Sequence, residues 1–373
     1  MIEIVEVKSK KEQKRFLDFP LKLYKGNKNF VPPLYSDEMK MFKKNYVYND
    51  QSESIFFNAY LDGKQVGRIQ GIIQRASNSK WNQNRVRFTR FDSIDNQEVA
   101  NALFDKVVSW AKENKLDTIV GPLGYSDLER EGLLIEGFDE LSTFEEQYNY
   151  PYYAKLIENY GFTKDVDWVE RKLYAPKEVD PKFEKLCHVI LRRNKLKLVE
   201  TKSVSSFIKK YGEQLFKVLD ITYDKLYGTV PFTDSMRKMV INNFKLIMNK
   251  KYFAVIVDKD DNVVCFGICI PSIAKAVQKS GGHLTLPTIV KVLKAIKKPE
   301  VLDLALIGVL PEYQMKGVSS ILIYEILKYL LSGDIKYFET NLNLEDNTAI
   351  QNQWKAFDST LHKRRRSYIK KII

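Results

Sequence analysis

Residues 2–7 alternate apolar and polar side chains with period two, which predicts an edge strand. From Ser9 the period lengthens to that of a helix reaching about residue 24, with Ser9 at the N-cap and Glu12 three residues on as a capping box. Pro32 and Pro33 bias residues 30–34 toward a loop. Alternating runs at 55–61 and 65–75 flank Asp62-Gly63, a hairpin signature, and 86–92 reads as a further strand. Val99, Leu103, Val107 and Trp110 share one face of a helix over 96–113. A short strand at 118–120 ends at Gly121-Pro122. A loop of about 25 residues follows. A helix at 153–160, closed by Gly161, then leads to a strand near 168–174.

Residues 177–196 read as a connector with Pro181 and a short helix ending in Arg192-Arg193-Asn194-Lys195. Residues 197–373 then repeat the order of elements. A strand at 198–200 precedes helices at 205–227 and 234–249, the second with Asp234 as its cap. Strands at 252–258 and 263–271 meet at Asp260-Asp261-Asn262, and helical spacing returns at 274–280 and 286–297. Residues 302–310 are almost all apolar, as in a strand buried on both faces, and 318–331 form a strongly apolar helix. Residues 337–342, 348–357 and 362–373 read as strand, helix and strand. The matched order predicts an α/β fold built twice. Each of two domains, 1–176 and 197–373, would carry a mixed, mostly antiparallel sheet flanked by helices.

Composition agrees with two globular domains: 373 residues, 44% hydrophobic and 29% charged. No run approaches the ~20 apolar residues of a membrane helix. Residues 1–14 lack the apolar core of a signal peptide, so a cytoplasmic location is expected. Three cysteines (Cys187, Cys265, Cys269) make no disulfide framework, and three histidines leave little for a multi-His site, so no metal is expected. Cys265 and Cys269 share a strand face and read as core thiols. The net charge of +13 is uneven. Residues 1–176 hold 26 Lys and Arg against 27 Asp and Glu, and the rest hold 34 against 20. Basic surface attracts phosphates, whether of nucleic acid, anionic lipid or a nucleotide-like cofactor.

The most specific local signal is Val309-Leu310-Pro311-Glu312-Tyr313-Gln314-Met315-Lys316-Gly317-Val318-Ser319, which joins the apolar strand to the apolar helix. Gly317 permits close backbone approach or an unusual conformation, and Ser319 leaves the helix start uncrowded. Free amides there, the helix dipole and Lys316 together make a pyrophosphate cradle, distinct from a P-loop and from GxGxxG.

Here the chain resembles the GCN5-related N-acetyltransferase (GNAT, acyl-CoA N-acyltransferase) superfamily. Its acyl-CoA loop reads Gln/Arg-x-x-Gly-x-Gly/Ala after the fourth strand, and Ser319 departs from the last of these while staying small. An Asn after the family's fifth strand is matched by Asn347. The first half resembles the same fold without the loop. Asp92-Ser93-Ile94-Asp95-Asn96 stands in its place with acids that repel phosphate, and 153–162 look like the closing helix and Gly-Phe.

The resemblance implies a two-domain bacterial member with a degenerate first copy and a second copy that binds acyl-CoA. The implied contacts are the backbone of Val309 and Leu310, the turn residues Gln314, Met315, Lys316, Gly317, Val318 and Ser319, and Asn347. The implied reaction is transfer of an acetyl or longer acyl group from a CoA thioester to an unidentified amine. Two other classes stay open: a non-catalytic CoA- or partner-binding module, and acyl or aminoacyl transfer with a carrier or tRNA. The family's acid, a Tyr seven residues after the Asn, falls on Trp354, whose indole cannot protonate a thiolate. Asp303 and Glu339 are the alternative bases. The run Lys363-Arg364-Arg365-Arg366 with Lys370-Lys371 reads as a solvated face or a contact to the cofactor's 3′-phosphate. The aromatic segment 148–153 either lines a substrate cleft or packs at an interface, and His283 reads as a loop residue.

Overall fold

The computed structural model describes residues 1–372. In the first half, β1 (Ile2–Glu6), β2 (Ser52–Leu61), β3 (Lys64–Gln74), β4 (Arg85–Ser93), β5 (Thr118–Gly121), β6 (Leu133–Glu136) and β7 (Thr163–Tyr174) alternate with helices. The second half adds β8 (Lys197–Leu198), β9 (Phe253–Val257), β10 (Val263–Pro271), β11 (Val301–Val309), β12 (Tyr337–Thr340), β13 (Asn343–Leu344) and β14 (Asp358–Lys371). The β2–β3 hairpin forms where Asp62-Gly63 predicts it, with both residues at positive φ (49° and 77°), as a tight turn of that hand requires. The helix Gln97–Glu113 buries Val99, Leu103 and Val107 as its periodicity demands.

The two halves do not carry two separate sheets. One sheet runs β1-β2-β3-β4-β5-β14-β7-β12-β11-β10-β9-β8, with β6 beside β14 and β13 beside β7. Its order is nearly symmetrical about the β14–β7 pair. On each side lies a parallel pair, β4 with β5 and β11 with β12, and the other pairings are antiparallel. The closing strands are exchanged: β7 pairs with β12 of the second half, and β14 pairs with β5 of the first.

This exchange corrects the reading of the basic run. β14 is a central strand, so its side chains alternate between two faces, one of which buries Lys363 and Arg365 while the other leaves Arg364 and Arg366 half-buried. Lys363 and Arg365 are wholly buried. Lys363 Nζ lies 2.5 Å from Glu339 and 3.4 Å from Glu170, and Arg365 Nε donates to Glu170 at 2.7 Å. On the other face Arg366 grips Asp167 with two hydrogen bonds (2.7 and 2.9 Å), and Arg364 reaches Glu345. The charges of Lys363–Arg366 are engaged by carboxylates within the sheet and do not form a solvated or phosphate-binding face, whereas Lys371 is exposed beside Asp117.

Smaller differences have local causes. The long loop contains β6, which is only four residues and pairs with a strand more than 200 positions away. The helix Asp234–Ile247 is capped by Thr233 and not Asp234, because the Thr233 hydroxyl takes the Met236 N–H. At Ser9 only half of the capping box forms, since the Glu12 carboxylate turns to Asn58 and Tyr60. Asp92 does not project charge into the first-half loop. It is buried against Arg68 Nε (2.7 Å) and the Tyr24 hydroxyl (2.8 Å). Tyr148 and Tyr153 pack in the first core, so the aromatic segment is packing and not cleft lining. Both β10 cysteines are buried, as their strand position predicts, and burial pushes their thiols up.

Candidate functional site

β11 and β12 are paired only from Val301–Tyr337 to Leu304–Thr340. At Ala305 the register with β10 slips by one residue, a bulge that turns β11 away from β12. The strands splay and β11 is left with an open edge, while its side chains are buried or half-buried on both faces, with none exposed. Its backbone groups find other partners. Tyr223 Oη donates to the Ile307 carbonyl (3.0 Å) and accepts from its N–H (3.3 Å). Gln314 Nε2 donates to the Val309 carbonyl (3.1 Å). Strand alternation turns the Val309 N–H to that same side. The Leu310 N–H is committed to the Val264 carbonyl (3.0 Å), so Val309 supplies the available amide of the two.

The turn after β11 is held by a single helical turn, Pro311–Gln314, and opens into the helix Ser319–Leu331. Gly317 sits at φ +73°, a conformation side chains resist, and a Cβ there would stand 3.3 Å from Ile190. The amides of Gly317, Val318 and Ser319 have no acceptor among the described residues. Lys316 lies over the Tyr313 ring, 4.6 Å from its centre, and Met315 is exposed.

A cavity of about 860 Å³ follows the split between β11 and β12. Of the residues the sequence singles out, Val309, Gln314, Met315, Ser319, Asn347, Asp303 and Trp354 line it. Leu310, Lys316, Gly317, Val318 and Glu339 stand behind or beside it. Asn347 caps the following helix by accepting from the Ile350 N–H (3.3 Å). Trp354 is buried and its indole N–H is committed to Asn343 Oδ1 (2.8 Å).

Asp303 and Glu339 are cross-strand neighbours at the foot of the split. Neither carboxyl oxygen of Asp303 has a hydrogen-bond partner. Burial, then the nearby Glu145 and Glu339, push its pKa well above the usual carboxylate range. Glu339 is also raised by burial, although Lys363 opposes the shift. Glu170, Glu339 and His362 bring possible ligand atoms within 4.8 Å of one another, but the Lys363 ammonium already stands between the two carboxylates.

Sequence reasoning missed a set of acids from the long loop. Asp127, Glu129, Glu131, Glu145 and Glu146 all reach the cavity wall. Burial raises Glu145 to about 7 and Glu146 to about 8. The surplus of acids in a segment without regular structure was the available signal.

Raised acids favour the folded state when protonated. Stability is full below their ordinary pKa near 4.5 and is lost as pH rises through the folded values. The melting temperature should therefore fall between about pH 5 and 8. Glu146→Gln should flatten that fall, which a pH series of melts would check. An unchanged slope in the variant would place the cause elsewhere.

Solved structures match the fold over the full chain. A tandem GNAT protein from the clavulanic acid biosynthesis pathway superposes with TM-score 0.57 at 11% identity, covering 100% of this chain and 99% of that one. The fold is that of the tandem GNAT proteins. A GCN5-related glucosamine N-acetyltransferase region of a fungal multi-domain GH3 β-N-acetylglucosaminidase also matches, with TM-score 0.58 at 10% identity, over 99% of this chain and 38% of that one. Among curated proteins, Protein YghO of Escherichia coli is 25% identical over 98% of this chain and 94% of its own length. A bacterial ceramide synthase of Caulobacter vibrioides is 23% identical over 100% of this chain and 98% of its own. No protein-family model matches the chain. Counted within the second half, β11 and β12 are its fourth and fifth strands. In the first copy the Asn96 side chain takes the Val99 amide at the equivalent helix start.

Proposed function

We propose that this chain is an acyl-CoA-dependent N-acyltransferase acting on an amphiphilic amine, with the thioester held by its second half. One observation carries the reading. The cavity begins at the turn of Gln314, Met315 and Ser319, passes the open edge of β11, and ends among unpaired acids between the halves. Its walls include Phe244, Ile247, Leu302, Leu306, Leu322 and Ile326, so the space beyond the reacting centre suits an apolar chain. The name of the ceramide synthase relative points the same way, since a ceramide is the amide of a long acyl group and a long-chain amino alcohol.

In this reading the free amides of Gly317, Val318 and Ser319 receive the pyrophosphate and the Val309 N–H polarises the thioester carbonyl. The amine nitrogen forms the new C–N bond while the C–S bond breaks. Glu145, with its pKa near neutrality, takes the amine proton, and the thiolate is protonated from water in the cavity. Trp354 shapes the wall and takes no part in proton transfer.

The test is thiol release from acetyl-, medium-chain and long-chain acyl-CoA in the presence of a long-chain amino alcohol, with native mass spectrometry of the same mixtures. Turnover is expected with the longer chains. Gly317→Glu places bulk and negative charge in the cradle and strains the turn at φ +73°, so it should remove detectable acyl-CoA binding, with an unchanged melting temperature required to show that the rest of the fold holds. Unchanged affinity in that variant would refute the site. Binding without turnover for every chain length would favour a binding module.

A further inference from the structure

The two halves match in element order, but they differ between the third and fourth strands of each copy. Ten residues separate β3 from β4, whereas 29 separate β10 from β11. The longer segment forms a short helix, Ala274–Gln278, and a second helix, Leu286–Lys297. Its inner side is firmly seated. Val292 and Ile296 pack with Ile273, Ala274, Val277 and Val31. Asn249 Nδ2 donates to the Ile296 carbonyl (3.1 Å), and Gln278 Nε2 donates to the carbonyls of Lys28 and Phe30 (2.8 and 3.0 Å).

Its outer side is bare. Leu286, Val290 and Leu293 are 82%, 65% and 60% exposed, and Leu284 and Ile289 are exposed beside them. At 100° per residue Leu286, Ile289, Val290 and Leu293 form one stripe, opposite the buried Thr288. An apolar stripe left in water is unfavourable unless something covers it. The charge around it is of one sign. Lys275, Lys279, Lys291, Lys294, Lys297 and Lys298 are exposed, none pairs with a carboxylate among the described residues, and no Asp or Glu occurs from 262 to 299. An apolar stripe bordered by unpaired lysines matches the chemistry of an anionic lipid surface, which offers acyl chains beneath phosphates.

Position adds a reason for such a surface. Leu34, Phe144 and Ile247 pack under this helix and also line the cavity, so one layer of side chains separates the two. We infer that the helix Leu286–Lys297, with its flanking lysines, docks the protein on anionic membrane surface next to the cavity. Among the described residues no helix is long and apolar enough to cross a bilayer, and the contact we infer is interfacial. Docking of this kind depends on the exposed surface alone and not on acyl transfer.

Flotation of the full chain with vesicles tests it, using phosphatidylcholine alone or with a quarter phosphatidylglycerol. The protein should float with the anionic vesicles and not with phosphatidylcholine alone, and added salt should weaken the binding. Val290→Ser with Leu293→Ser, and separately Lys291→Glu with Lys294→Glu, should each lower the bound fraction at least about tenfold. All four positions face solvent, so unchanged melting temperatures verify that the variants are folded. Absence of flotation with anionic vesicles would overturn the inference. So would a wild-type dimer that the serine pair dissociates while flotation stays unchanged, because the stripe would then cover a second copy.

Discussion

Lys363→Met is expected to cost about 3–5 kcal/mol of unfolding free energy. Lys363 has no exposed surface and is the only cation in contact with both Glu170 and Glu339 among the described residues. Arg365 would still serve Glu170, but Glu339 would be left with Lys172 on the paired strand, which is engaged by Glu140, and with His362, which burial above all holds low. An acid buried without its cation must either stay charged at high cost or take up a proton. The loss should therefore grow as pH rises, because protonating the orphaned carboxyl relieves it only under acidic conditions. Lys363→Met combined with Glu339→Gln should recover part of the stability, since the second change removes the uncompensated charge. Urea unfolding at pH 5 and pH 8 reads both effects. A deficit under about 1 kcal/mol at pH 8 would mean that the ion cluster opens to water.

The elements governed by near neighbours are legible in the sequence, and those governed by distant partners are not. Asp62-Gly63 and its flanking alternation specify the β2–β3 hairpin without help from the rest of the chain. The spacing from Val99 to Val107 likewise suffices for a helix, and the strand, turn and helix around Gly317 are continuous in sequence. The place of β14 is different. A stretch containing Lys363-Arg364-Arg365-Arg366 reads as surface because the cost of burying lysine and arginine is ordinarily prohibitive. Burial becomes possible only because β7 brings Glu170 and Asp167 alongside, almost 200 residues earlier in the chain. The splay of β11 from β12 is hidden for a related reason. An all-apolar strand looks the same whether its side is covered by protein or borders a cavity for an apolar ligand. The turn residues of the site were therefore visible, whereas the acids opposite them lie in a loop whose course is set by β6 and β14.

Glu145→Gln is expected to lower kcat/KM for amine acylation about 10²–10⁴-fold while leaving acyl-CoA binding unchanged. A base for an ammonium must be ionised when the amine arrives and must still hold a proton well enough to remove one. Of the acids in or beside the cavity, Asp303 is pushed well above the usual carboxylate range by burial and by like charges. Glu339 is engaged by Lys363. Glu146 is fully covered, with one oxygen lacking any partner. Glu145 is half-buried on the cavity wall, where loss of water raises it to about 7 and Arg130 limits the rise. The wild-type kcat/KM should rise with pH through about 7, as the carboxylate forms, and the variant should lose that limb. Steady-state thiol release from pH 5.5 to 9, with acyl-CoA affinity measured separately, distinguishes a lost base from a damaged site. If the variant keeps the limb and stays within about tenfold of wild type, the proton passes to another group. Asp303 is then the next to replace, because its unpaired oxygens are the only other carboxyl group at the foot of the split that no cation holds.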